Sequence, residues 1–197
     1  MLMVGADAAW EWTGANAPGF GDPLARDPGQ VEADIASGAL SADTAERVYG
    51  VVPDGEHGDG ATRALRARRL AARLADAVPP EGTPATVPAD VPLRVLAGEL
   101  AVTERDGRPE AFVTVTGRAV LAPATGNFKD GCAMREGPLR TAAPEFATRE
   151  GRVGYLVRYR EYLCPVTGLR VDSEIIADGD EPLHDIVIGG AASSGGQ

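Results

Sequence analysis

Tyr155-Leu-Val-Arg-Tyr159-Arg-Glu-Tyr-Leu-Cys164-Pro-Val-Thr167-Gly168-Leu-Arg-Val171-Asp-Ser-Glu-Ile175 is the stretch that decides the fold class. Residues up to Cys164 alternate. Val153, Tyr155, Val157, Tyr159, Glu161 and Leu163 share one face; Gly154, Leu156, Arg158, Arg160, Tyr162 and Cys164 share the other. That period of two, rich in aromatic and β-branched residues, predicts a strand. Pro165 and Gly168 interrupt it, and a second apolar run follows through Leu169, Val171 and Ile175. The pattern is a β-hairpin with one cysteine at its tip. Asp185-Ile-Val-Ile188 predicts a last short strand.

The same period extends upstream. Leu93 to Glu104 predicts a strand bent at Gly98, and Asp106-Gly107 a tight turn between strands. Ala111 to Thr116 is strongly β-forming, and Gly117 to Leu121 predicts its continuation past a bulge. Cys132 to Leu139 is extended or irregular, with a turn at Arg135-Glu-Gly-Pro138. Short strands without alternating helices make a small, mainly antiparallel β domain over residues 93–188. Before it, residues 79–92 hold Pro79, Pro80, Pro84, Pro88 and Pro92, which predicts a semi-extended Pro-rich linker.

Residues 1–78 have the period of helices. Asp27-Pro28 is a helix start, with an N-cap and a proline at the first helical position; Gly38 ends that helix. Ser41 caps a second helix, onto which Leu40 can staple, and Gly50 stops it. Asp59 can cap a third, running to about Val78 and rich in Ala and Arg. These helices carry few large side chains, so they need support from the rest of the chain or from a partner. Arg63, Arg66, Arg68, Arg69 and Arg73 crowd the third helix, either as a solvated face or as a docking surface for an acidic partner. The fold class is α+β: helical docking segment, Pro-rich linker, β domain, and a Gly/Ser tail over 189–197.

Composition bounds the function. The chain has 197 residues, 44% of them hydrophobic and 5% aromatic, with 25 Gly and 15 Pro. A net charge of −10 argues against nucleic acid and anionic membranes, which need a basic face. No apolar run approaches the ~20 residues of a membrane span. The start has acidic Asp7 and Glu11 and no basic residue, unlike a signal peptide, and there are only two cysteines. These features predict a cytoplasmic protein. Phosphate-loop, dinucleotide-binding and Gly-x-Ser-x-Gly motifs are not found.

Gly19-Phe-Gly-Asp-Pro-Leu-Ala-Arg-Asp-Pro28, Val31-Glu-Ala-Asp34, Gly38-Ala-Leu-Ser41 and Ala45-Glu-Arg-Val-Tyr-Gly-Val-Val52 together resemble the C-terminal tail of the hydantoinase B/oxoprolinase family, over about residues 19–76. The large catalytic body of that family has no counterpart here. Gly126-Asn-Phe-Lys-Asp-Gly131, Arg135-Glu-Gly-Pro-Leu139, Arg160 to Gly168 and Glu181-Pro-Leu-His-Asp-Ile-Val-Ile188 resemble, in order, the small gamma-type subunits of acetone and acetophenone carboxylases, over about residues 93–188. The two resemblances imply one kind of assembly: a multi-subunit, ATP-dependent carboxylase or hydantoinase-like complex. Hydantoinase-A-like and hydantoinase-B-like partners would carry ATP and Mg, and this chain would be a non-catalytic accessory subunit. The alternative is a free-standing binding module with a degenerate zinc-ribbon-like hairpin. The family's knuckle reads Cys-Pro-x-Cys-Gly, and Thr167 stands where its second cysteine would be; His184 replaces a tryptophan. A structural zinc needs four thiolate or imidazole ligands. Cys132, Cys164 and His184, completed by a carboxylate, are the candidates; otherwise Cys164 is a small buried residue. His57 is a surface histidine on this reading. Asp172 and Glu174 share a strand face, where paired carboxylates are solvated or act as acid and base.

Overall fold

The computed structural model describes residues 21–53, 58–138 and 157–188. His57, the first residues of the expected strand (153–156), the stretch 142–150 and the tail 189–197 lie outside these. The architecture is α+β: three helices packed beside two antiparallel sheets.

Helix α1 (Pro28–Ala36) starts as its sequence predicts. Asp27 accepts from the Gln30 N–H at 3.0 Å and Pro28 occupies the first position. Helix α2 (Ala42–Thr44) is capped by Ser41, which accepts from the Thr44 N–H at 3.1 Å, and continues as a π-turn over Ala45–Tyr49. Gly50 ends it in the left-handed region, at φ 62°. Val31, Ala45 and Val51 are fully buried, and Ile35, Leu40 and Tyr49 close around them. That is a small core. Helix α3 (Gly58–Ala75) lies across it, and its Thr62 hydroxyl accepts from the Val52 N–H at 3.0 Å. Gly58 already belongs to the helix, so Asp59 sits inside its first turn rather than at the cap.

The first sheet has the order β1 (Arg94–Ala97), β2 (Leu100–Arg105), β3 (Arg108–Thr114), β4 (Val120–Pro123). Two expectations change here. The bend at Gly98 is a full reversal: Ala97 pairs with Leu100, and Gly98 has φ 50°. Gly117 to Leu121 is likewise a reversal, because Arg118 at φ 52° turns the chain back onto β3. Asp106 and Gly107, at φ 53° and 73°, form the expected tight turn.

The second sheet has the order β5 (Ala133–Pro138), β6 (Val157–Leu163), β7 (Arg170–Ala177). The hairpin read from sequence is β6–β7. Arg135 to Pro138, expected as a turn, is strand; Arg135 opposes Glu161 and Glu136 opposes Arg160, so each charge meets its opposite across the ladder. Asp185 to Ile188 forms no ladder with a neighbour and follows the sheet as an irregular segment, with Ile186 and Ile188 against the core.

The main core lies between the sheets: Leu100, Val102, Phe112, Leu121, Phe128, Cys132 and Tyr162 are all buried in it. The Pro-rich stretch is tied to both sheets. Val78 bridges to Met134, Thr86 bridges to Ala119, and the Arg118 guanidinium donates to the Val87, Pro88 and Val91 carbonyls.

Candidate functional site

Three groups of polar side chains converge near the β6–β7 hairpin. The first joins the helices to the sheet. Asp22 caps a short 3-10 turn (Pro23–Ala25) by accepting from the Leu24 N–H at 3.0 Å. Its other oxygen accepts from Arg73 of α3 at 2.5 Å and from the Arg170 N–H of β7 at 2.7 Å. The carboxyl is fully buried. Burial alone would raise its pKa; Arg73, Arg170 and Leu24 outweigh that and hold it below the ordinary carboxylate value. Beside it Arg170 donates to the Gly21 carbonyl and to the Tyr159 hydroxyl. The hairpin tip then packs on α3: a Cβ added at Gly168 would come within 2.6 Å of the Leu70 carbonyl oxygen.

The arginines of α3 divide in this geometry. Arg66 donates to the Tyr49 and Arg26 carbonyls, Arg69 to the Arg47 carbonyl, and Arg73 to Asp22. Arg66 and Arg69 thus satisfy carbonyls that helix ends leave open. Arg63 and Arg68 are exposed.

The second group surrounds Lys129, whose side chain is buried. Asn127 caps a 3-10 turn (Phe128–Gly131) that aims Lys129 inward. Its Nζ lies 3.0 Å from Glu174, 3.2 Å from Asp172 and 3.2 Å from Asp185. It also sits 5.2 Å from the Tyr162 ring centroid and 5.7 Å from that of Phe128. Burial works against the charge, but the three carboxylates outweigh it and keep the ammonium protonated above its usual range. Such a lysine is no nucleophile. The Tyr162 hydroxyl donates to Glu174, while burial and that carboxylate push the phenol pKa up. Asp172 and Glu174 are therefore not a solvated pair; they are ligands of an ammonium. The sequence held a signal for this site: Lys129 is the only lysine among 19 basic residues. Three donors on a compact head suit three separate carboxylates, which a planar guanidinium does not.

The third group holds the expected metal candidates. Cys132 and Cys164 are free, buried thiols, one step beyond the Ala133–Leu163 pair on adjacent strands. The Cys132 thiol donates to the Phe128 carbonyl at 3.5 Å, and burial pushes its pKa far above the ordinary thiol value. The Cys164 thiol donates to the Thr114 hydroxyl at 3.4 Å. His184 stands apart, with Nε2 3.1 Å from the Gly126 carbonyl. So the two cysteines are brought together and the histidine is not. Among the described residues no cluster of three or more His, Cys, Asp or Glu is arranged to hold a metal ion.

A cleft of about 780 Å³ opens between the helices and the sheets, bordered by Asp22, Arg26, Tyr49, Glu99 and Arg170. Its charged groups are engaged: Arg26 with Asp34, Glu99 with Thr116, and Asp22 and Arg170 as above. Apolar Pro23, Ala25 and Val48 share the lining with these groups, and among the described residues no nucleophile stands beside a base within it.

Fold and site together define an α+β protein in which a helical segment is clasped onto a pair of small antiparallel sheets. No family model matches the chain. Part of it is similar to the acetone carboxylase alpha subunit of Xanthobacter autotrophicus, with 46% identity over 68 residues. The match takes in 32% of this chain and only 9% of that subunit's length. No helix among the described residues is long and apolar enough to cross a membrane.

Proposed function

We propose that this chain is a non-catalytic accessory subunit of a multi-subunit, ATP-dependent carboxylase of the acetone or acetophenone carboxylase kind, acting in the cytoplasm. The observation that carries this reading is the 46% identical stretch shared with an acetone carboxylase alpha subunit. The shared stretch takes in 9% of that subunit, and on this reading the chain would complete or brace a large subunit. The helical part, through residue 78, would dock; the β domain would add a wall beside a site housed elsewhere. Hydantoinase-A-like and hydantoinase-B-like subunits are the proposed partners, holding ATP, Mg and substrate. The saturated ion pairs of Asp22 and Lys129 fit a structural role, since every charge in them is already committed within the chain.

Native mass spectrometry with metal analysis, on the chain isolated gently from its own cells, tests this. Co-isolation of two large chains of those kinds is the expected result. A bare monomer would overturn it, and a monomer carrying one zinc would favour a free-standing metal-binding module.

A further inference from the structure

Around their second hairpins the two sheets share one pairing register. β3 pairs with β4 at Val113–Val120, Phe112–Ala122 and Ala111–Pro123, with the register slipping between Phe112 and Val113. β6 pairs with β7 at Leu163–Arg170, Tyr162–Asp172 and Glu161–Ser173, with the register slipping between Tyr162 and Leu163. The offset is a constant 50 residues, from Phe112 to Tyr162 and from Ala122 to Asp172. The preceding strands agree: Ala101, Val102 and Thr103 oppose Val113, Phe112 and Ala111, as Ala133, Met134 and Arg135 oppose Leu163, Tyr162 and Glu161.

The turns correspond too. The Thr114 N–H donates to the Ala119 carbonyl at 2.9 Å, and the Cys164 N–H to the Leu169 carbonyl at 2.8 Å. Arg118 and Gly168, equivalent at the same offset, both have positive φ. Even the edges match: an outside segment accepts from the Val120 N–H (Ala85 carbonyl, 2.8 Å) and from the Arg170 N–H (Asp22 carboxylate, 2.7 Å).

These equivalent turns meet. Thr114 Oγ1 touches Cys164 Sγ at 3.4 Å. A Cβ at Gly117 would lie 2.6 Å from Cys164 Sγ, 3.1 Å from Thr167 Cγ2 and 3.3 Å from Thr114 Oγ1. Residues 114, 117, 164 and 167 thus converge on one point, two from each turn at an i, i+3 spacing. Two such turns face to face are the arrangement that surrounds a tetrahedral zinc, whose Zn–S distance of about 2.3 Å sets ligand sulfurs a little under 4 Å apart. We infer that β2–β4 and β5–β7 are two copies of one three-stranded knuckle unit, and that residues 114, 117, 164 and 167 mark the four ligand positions of a tetrahedral metal centre that this chain has closed by packing. Cys164 alone keeps a thiol, and it fills the space that a side chain at Gly117 would need. Neither Cys132 nor His184 belongs to the set. The inference is independent of any role in a carboxylase.

The test is to rebuild the centre in the full chain as T114C/G117C/T167C, reduced, and to measure zinc stoichiometry and the visible spectrum of the cobalt(II) form. One ion per chain, with the absorption of tetrahedral cobalt–thiolate and no ion retained by the parent, is the expected result. A variant with parental circular dichroism that binds no more metal than the parent overturns the inference. Should the triple variant fail to fold, T114C alone decides. In a glutathione buffer, the two thiols lose two protons and two electrons to glutathione disulfide. The expected product joins the introduced cysteine to Cys164. A folded T114C that stays reduced, or that couples to Cys132, overturns the pairing of the two turns.

Discussion

Asp22 has few hydrogen-bonding options left: its two oxygens serve a 3-10 turn, a helix and a strand at once. Asp22→Asn keeps the shape and loses the charge that Arg73 needs. Truncating one partner of a largely buried pair strands the other, so Asp22→Ala should cost about 2–4 kcal/mol in urea unfolding. The pH dependence follows from the depressed pKa. Asp22 contributes its stability fully above the unfolded carboxylate value near 3.8, and that contribution is lost as pH falls through its lower folded value. The Asn variant should therefore lose less stability than the parent between about pH 4 and pH 2. Gly168 is constrained twice, by φ 76° and by the Leu70 carbonyl. Gly168→Ala should lower stability by about 1–3 kcal/mol, read from thermal melting, while Gly179→Ala, strained but with open space around it, should cost less.

At the scale of elements, Lys129 ties three segments that have no ladder in common. Its turn, strand β7 and the irregular stretch around Asp185 meet through one ammonium. Leu183 adds its N–H to Glu174, and its carbonyl accepts from Asn127. Lys129→Met leaves Glu174 buried beside two further carboxylates. The expected loss is about 3–5 kcal/mol, with faster amide exchange over residues 181–188. Pairing it with Glu174→Gln should recover part of that loss; additive effects in the double variant would show that the two groups are not coupled. Much of this scale was legible beforehand. The caps at Asp27 and Ser41, the stop at Gly50 and the β6–β7 hairpin follow from local chemistry. Gly98 was legible as a bend but not as a full reversal, and the reversal at Arg118 was not legible, because an arginine at positive φ is no turn signal; only pairing on both sides of it holds the chain there.

Across the whole molecule, the helices stand because the sheets hold them. Asp22–Arg170 and the contact of Gly168 with α3 supply the support that three helices with few large side chains lack. With Arg66, Arg69 and Arg73 turned inward, Arg63 and Arg68 remain as the exposed basic pair of α3. Arg63→Glu/Arg68→Glu should leave the melting temperature within about 2 °C of the parent, since exposed charges contribute little to stability. On the accessory-subunit reading it should weaken co-isolation with the large subunits; unchanged recovery would remove α3 from the docking surface.

The amino-acid sequence alone determined the α+β class, the helix caps at Asp27 and Ser41, the stop at Gly50 and the hairpin, because each rests on local propensity or on a period that a few neighbouring residues set. The tertiary structure alone decided which side chains meet. Asp22 and Arg170 are 148 residues apart, Lys129 and Glu174 are 45 apart, and Thr114 and Cys164 are 50 apart. No periodicity spans such distances. The doubling of the sheet is likewise hidden, because only strand register, and not residue identity, is shared between Thr114-Val-Thr-Gly117 and Cys164-Pro-Val-Thr167.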